Sequence, residues 1–127
     1  MHEDLREVTV SLEHLREACG EIGRAMGQTE RSAAEAAARR AVDHLNLVIR
    51  RLEHAQSLPL RDEVLEAIDH AYSSTRMAWQ GTHNALNNWE HQAARRLDAA
   101  KTQLSDAIGE LEVVAPARAE AAHRVAA

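Results

Sequence analysis

The apolar side chains Leu5, Val8, Leu12, Leu15, Cys19, Ile22 and Met26 advance by three and four residues in alternation without a miss. That step returns side chains to one face of an α-helix, so the segment predicts a helix with a narrow oily seam of the kind that pairs helices side by side. A strand cannot use it, because successive strand side chains point to opposite faces and the same residues would scatter over both. Gly27, within "GRAMGQT", stands where a C-cap glycine ends such a helix.

The spacing then recurs. Ala34, Ala38, Ala41, Leu45, Val48, Leu52 and Ala55 predict a second helix, widened by Val42 and Ile49. Its start is open to Thr29 or Ser32; Ser32 is preferred, because Glu35 three residues on completes a capping box. Pro59 in "SLPL" stops it, and Asp62 and Glu63 suit the positive end of a third helix, with Val64, Leu65, Ile68, Ala71 and Tyr72 inward and Ala78 near its end. Trp79-Gln80-Gly81 reads as the next turn. Thr82 then caps a fourth helix carrying Leu86, Trp89, Ala93, Leu97, Ala100, Leu104, Ile108 and Leu111, and Pro116 breaks it.

The expected fold is all-α: an antiparallel four-helix bundle built from two helical hairpins, with coiled-coil-like packing. A single domain over residues 1–115 with a tail over 116–127, frayed or a short helix, follows; two hairpins that dimerise are the alternative. "AMGQT" and "AWQGT" fall at corresponding predicted corners, each followed by a helix containing "AARR", as an old duplication would leave them.

At 127 residues the chain is long enough to bury a core without metal or disulfide. Its net charge of −5 argues against a nucleic-acid partner, which calls for a basic face, and against anionic membranes. Fourteen of its fifteen basic residues are Arg, which with the abundance of Ala suggests a GC-rich bacterial genome. Cys19 is alone, so no internal disulfide forms, and no apolar run reaches the length of a membrane span. The opening "MHEDLREVTV" is charged where a signal peptide is apolar, and a cytoplasmic location is expected.

Eight His residues raise a metal hypothesis. Two ligands on one helix converge when three or four residues apart, and no two His have that spacing. His83, Asn87 and His91 make a polar stripe with Trp89 as a wall, one basis for a small-molecule or metal-responsive bundle. Of the Glu-x-x-His units that di-iron bundles use, only Glu120 to His123 fits. "HEDLR" at His2 resembles the phospho-accepting box of histidine kinase dimerisation helices, without the helix that should precede it. Arg39 and His44 form an Arg-x4-His that resembles the catalytic pair of HEPN-type ribonucleases, where such residues activate a ribose hydroxyl and stabilise phosphate charge. Arg39/Arg40 and Arg50/Arg51 repeat on one face of the second helix, as a phosphate-binding face would. They also complement the stripe Glu3, Glu7, His14, Glu17 and Glu21 of the first helix, with Glu7 expected near Arg51 and Glu17 near Arg40. No Ser-His-Asp order, Gly-rich phosphate loop or pair of catalytic carboxylates stands out, so neither an enzyme nor a resident cofactor or metal is expected.

Residues 78 to 111, "AWQGTHNALNNWEHQAARRLDAAKTQLSDAIGEL", resemble the second half of the WXG family, helical-hairpin proteins exported by type VII secretion in high-GC Gram-positive bacteria. The resemblance implies a helix-turn-helix subunit that pairs with a similar partner, Trp79 and Gly81 shaping the corner, and a route of export without a cleaved signal. The alternative is that Trp79 and Trp89 cap an ordinary bundle core. Both lead to a non-catalytic helical interaction protein that self-associates or pairs with another helical chain. Its candidate residues are Leu5, Leu12, Leu15, Cys19, Ile22, Trp79, Gly81 and Trp89.

Overall fold

A computed structural model describes residues 4–115. The predicted tail, the Glu120 to His123 pair, His2 and Glu3 lie outside the described residues. Four helices follow in order: α1 (Arg6–Gly27), α2 (Arg31–Ala55), α3 (Asp62–Asn87) and α4 (Ala93–Val114). They form an all-α four-helix bundle: α1 packs on α2 and α3 on α4 as hairpins, and α2 against α3 and α1 against α4 close the ring.

The seams occupy the positions their spacing predicts. Val8, Leu12, Leu15 and Ile22 of α1 are buried, as are all seven apolar positions predicted for α2 from Ala34 to Ala55. Leu5 and Cys19 are half-buried at the margin, and Met26, last of the run, is exposed where α1 reaches its corner. Small residues dominate much of the interior, with Ala18, Ala37, Ala38, Ala41, Ala71 and Ala78 enclosed. Facing alanines let neighbouring helix backbones approach closely, and Leu15, Leu45, Leu52, Leu97 and Leu104 fill the remaining space.

The helix ends differ from their predicted caps. Gly27 is the last residue of α1, no glycine has positive φ, and the chain leaves through an extended Gln28. α2 starts at Arg31, between the two predicted starts, behind an extended Glu30; the Ser32 hydroxyl donates to the Glu30 carboxylate at 2.8 Å, and no capping box forms. Glu35 is drawn instead to Arg31 at 2.7 Å and Arg39 at 3.5 Å, because a carboxylate one turn from two guanidiniums has charged partners on its own helix. At the start of α1, Asp4 Oδ1 accepts the Arg6 backbone N–H at 3.1 Å, and its side-chain bond with Arg6 holds the carboxyl down at about 2.

The largest correction concerns the second hairpin. Trp79-Gln80-Gly81 is not a turn: α3 runs through it to Asn87, and the corner is residues 88–92. Ala71, Thr75, Ala78, Thr82 and Ala85 are buried on one face across the tripeptide, and that burial outweighs the cost of about 1 kcal/mol of one helical glycine. Thr82, predicted as a cap, turns its hydroxyl back to the Ala78 carbonyl at 2.8 Å, as Thr75 does to Ala71 at 2.7 Å. Each buried hydroxyl is thereby satisfied within the helix. The turn residues are Asn88, with φ −146° and ψ 60°, and Gln92, whose φ of 58° is left-handed. "AMGQT" and "AWQGT" therefore do not occupy equivalent corners.

The packing around Gly81 leaves room for a methyl group. A Cβ added to it would meet the Arg96 carbonyl oxygen at 3.6 Å and the Ala100 Cβ at 3.8 Å, ordinary contact distances on the close face between α3 and α4. Gly81→Ala is expected to raise the unfolding free energy by about 0.5–1 kcal/mol, the helix-interior difference between the two residues. Denaturant melts check this; a loss of comparable size would mean that residue 81 is a turn.

Candidate functional site

Polar side chains line one flank of the α1–α2 seam as rungs between the helices. The Arg51 Nη1 donates to Glu7 Oε1 at 3.0 Å, as predicted. Seven residues onward along α1 and seven back along the antiparallel α2, the next rung is His14 and His44, with Nδ1 atoms 3.0 Å apart and ring centroids separated by 5.2 Å. The His44 Nε2 lies 3.3 Å from Glu17 Oε2. One turn beyond, Glu21 accepts from Arg40 Nε at 2.8 Å and from Arg24 on its own helix.

Arg40 was predicted to meet Glu17 and meets Glu21. Helical side chains lean toward the N-terminus of their own helix, and in an antiparallel pair the start of α2 lies beside the end of α1. A long Arg on α2 therefore reaches toward the later residues of α1. The shorter His44 stays level with His14 and Glu17.

Side-chain hydrogen bonds order this rung. The two Nδ1 atoms share one hydrogen bond, in which one ring supplies the N–H and the other the lone pair, and the Glu17 carboxylate stands against the far nitrogen of His44. His14 is half-buried, His44 is 24% exposed and Glu17 is 59% exposed, so one side of the cluster opens to water. Among the described residues, His14, Glu17 and His44 form a group whose possible ligand atoms lie within 4.8 Å of one another.

The other predicted residues fall elsewhere. Leu12, Leu15 and Ile22 are enclosed in the chain's own core. Trp79 is half-buried and stacks on His83 at 4.8 Å and 7°, and its indole N–H is enclosed without a hydrogen-bond partner. His83, Asn87 and His91 do not continue one stripe, because α3 ends at Asn87 and His91 lies in the following corner. Arg39 pairs with Glu35 while His44 faces His14 and Glu17; five residues apart on α2, the two diverge by about 140° around the helix. A cleft of about 210 Å³ opens at the end of the bundle where the two corners meet, lined by Met26, Arg31 and Ala34 from one and Trp89, Ala93 and Leu97 from the other. Arg31 bridges the corners through Glu90 at 3.1 Å.

Fold and site together define an all-α four-helix bundle with an imidazole and carboxylate cluster between its first two helices. No protein-family model, curated protein or solved structure matches the chain.

His spacing within a single helix does not reveal the cluster, because His44 comes from the facing helix. The signal was available in the predicted Glu7 and Arg51 pairing, since one heptad further along that register is His14 opposite His44.

Glu21, only 11% exposed, is held below the ordinary carboxylate range by its bond from Arg24, with Arg40 adding to the effect against the opposing cost of burial. The folded state therefore binds the proton less readily than the unfolded chain. The stability from Glu21 is present above the ordinary Glu range and is lost as the pH falls through the folded-state value. Glu21→Gln is expected to cost about 1–2 kcal/mol at neutral pH and less in acid, measured by urea melts across that range. An equal cost at every pH would contradict the ion-pair account.

Proposed function

We propose that the protein is a non-catalytic helical interaction protein that meets its partner, a second copy of itself or another helical chain, with the outside of a finished bundle. The observation that carries this reading is that a single chain already covers its own seams, with Leu15 and Ile22 fully enclosed. A partner is then left with surface features. The cleft between the corners is the one this reading favours: it offers a half-buried Trp89 and an exposed Met26 beside the Arg31 and Glu90 ion pair. Aromatic and Met side chains are enriched where interfaces concentrate their energy, and a charged rim sets orientation. The cleft is smaller than the roughly 300 Å³ at which small-molecule sites begin, which favours a protruding side chain of a partner helix over a free ligand. Nothing in this reading requires kinship with the WXG family, whose corner would need Trp79 and Gly81 where α3 runs straight.

Sedimentation equilibrium of the full chain at micromolar concentrations tests it. A reversible dimer is expected, weakened roughly 30-fold by Trp89→Ala, equivalent to about 2 kcal/mol. Because Met26 is exposed, Met26→Glu should weaken association with an unchanged thermal melt. A strictly monomeric wild type would sink the self-associating form, and a Met26→Glu variant that associates as wild type does would sink the cleft.

A further inference from the structure

We infer that His14, Glu17 and His44 form a binding site for one divalent transition-metal ion, of the Zn2+, Co2+ or Ni2+ class, that clamps α1 to α2. Two imidazoles and one carboxylate are the donor set that borderline ions prefer, whereas Mg2+ and Ca2+ call for oxygen alone.

The distances fit. A tetrahedral ion with bonds of about 2.0–2.1 Å holds its ligand atoms roughly 3.3 Å apart. The two Nδ1 atoms stand at 3.0 Å, so an ion replacing their shared proton needs them to separate by only a few tenths of an ångström. With the single proton of each neutral ring on Nε2, both Nδ1 lone pairs are available to the ion. The third ligand is positioned by helix geometry. Glu17 is three residues from His14 on α1, hence on the same face; its carboxylate, 59% exposed and 3.3 Å from Nε2 of His44, belongs to a group of possible ligand atoms within 4.8 Å of one another, and binding requires it to turn toward the side of the ring where the two Nδ1 atoms meet. Water reaches the open side and can supply the fourth ligand.

The rungs on either side keep the donors in place. Arg51 with Glu7 and Arg40 with Glu21 tie α1 to α2 on both sides of the cluster, so neither helix has to be ordered by the ion. Both neighbouring guanidiniums are already matched by their own carboxylates, which leaves the charge of Glu17 available to the cation. The site lies on the flank of the seam, away from the cleft between the corners, and does not depend on the association proposed above.

The test is a Zn2+ titration of the tag-free full chain by calorimetry, with thermal melts and Co2+ absorption spectra in parallel. Expected are one ion per chain, a higher melting temperature with Zn2+, and the visible bands of four-coordinate Co2+ carrying nitrogen and oxygen ligands. His14→Gln and His44→Gln should each weaken binding by at least about tenfold and Glu17→Gln by a smaller factor, with helical circular dichroism retained. The double variant His83→Gln/His91→Gln should bind as wild type does. The proposal is overturned if Zn2+, Co2+ and Ni2+ all leave the melt of the wild type unchanged, or if the ion binds the His14→Gln and His44→Gln chains as tightly as the native one.

Discussion

The close approach of alanine-faced helices is the constraint on which the other features rest. Ala18 and Ala25 on α1 and Ala34, Ala37, Ala38 and Ala41 on α2 are all buried, and each replaces a bulky side chain with little more than a methyl group. Each contributes modest apolar area, so the gain lies in drawing two backbones together while the leucines further along the seam fill the core. Closeness then determines what the flanks can do. Only where helices run near one another can an imidazole on one come within 3.0 Å of an imidazole on the next. Between α3 and α4, a methyl group at Gly81 would come into ordinary contact with the Arg96 carbonyl and the Ala100 methyl.

Such packing also handles polarity in a particular way. The buried threonines of α3 return their hydroxyls to the carbonyl one turn back, which lets them occupy core positions without a partner on another helix. Charged groups sit at the margins, where Glu21 is nearly enclosed between the exposed Arg24 and Arg40 and Glu7 lies half-buried beside the exposed Arg51. Exposed pairs of this kind contribute little stability each, but their order along the flank specifies one register of α1 on α2. The His14, Glu17 and His44 cluster is a rung of that ladder with ligand chemistry in place of an ion pair.

Much of the fold was legible because helical periodicity is a local property. The seven seam positions predicted for α2 from Ala34 to Ala55 are buried, with the flanking Val42 and Ile49 half-buried, and α1 departs from its seam only at its margins, Leu5, Cys19 and Met26. The corner of the second hairpin was not legible from the same signal. A glycine and a tryptophan suggested a turn at 79–81, yet a helix tolerates one glycine when the residues around it are buried on a common face, and the paired Asn87 and Asn88 carried the better turn chemistry. The candidate site was legible in half: Glu7 opposite Arg51 was foreseen, and Arg40 opposite Glu17 was not what formed, because the lean of side chains along antiparallel helices shifts a long Arg by one turn.

The sequence by itself determined that this chain forms helices and where their oily faces lie, since the three-and-four spacing of apolar residues gathers them on one side of each helix, but it left open whether one chain or two close the bundle. Only the tertiary structure decided where α3 ends, which of the seam residues stay at the surface, and which side chains meet across α1 and α2. Those outcomes depend on the distance and offset between two helices, quantities that arise from the fit of all the side chains between them and that no single helix carries in its own order of residues.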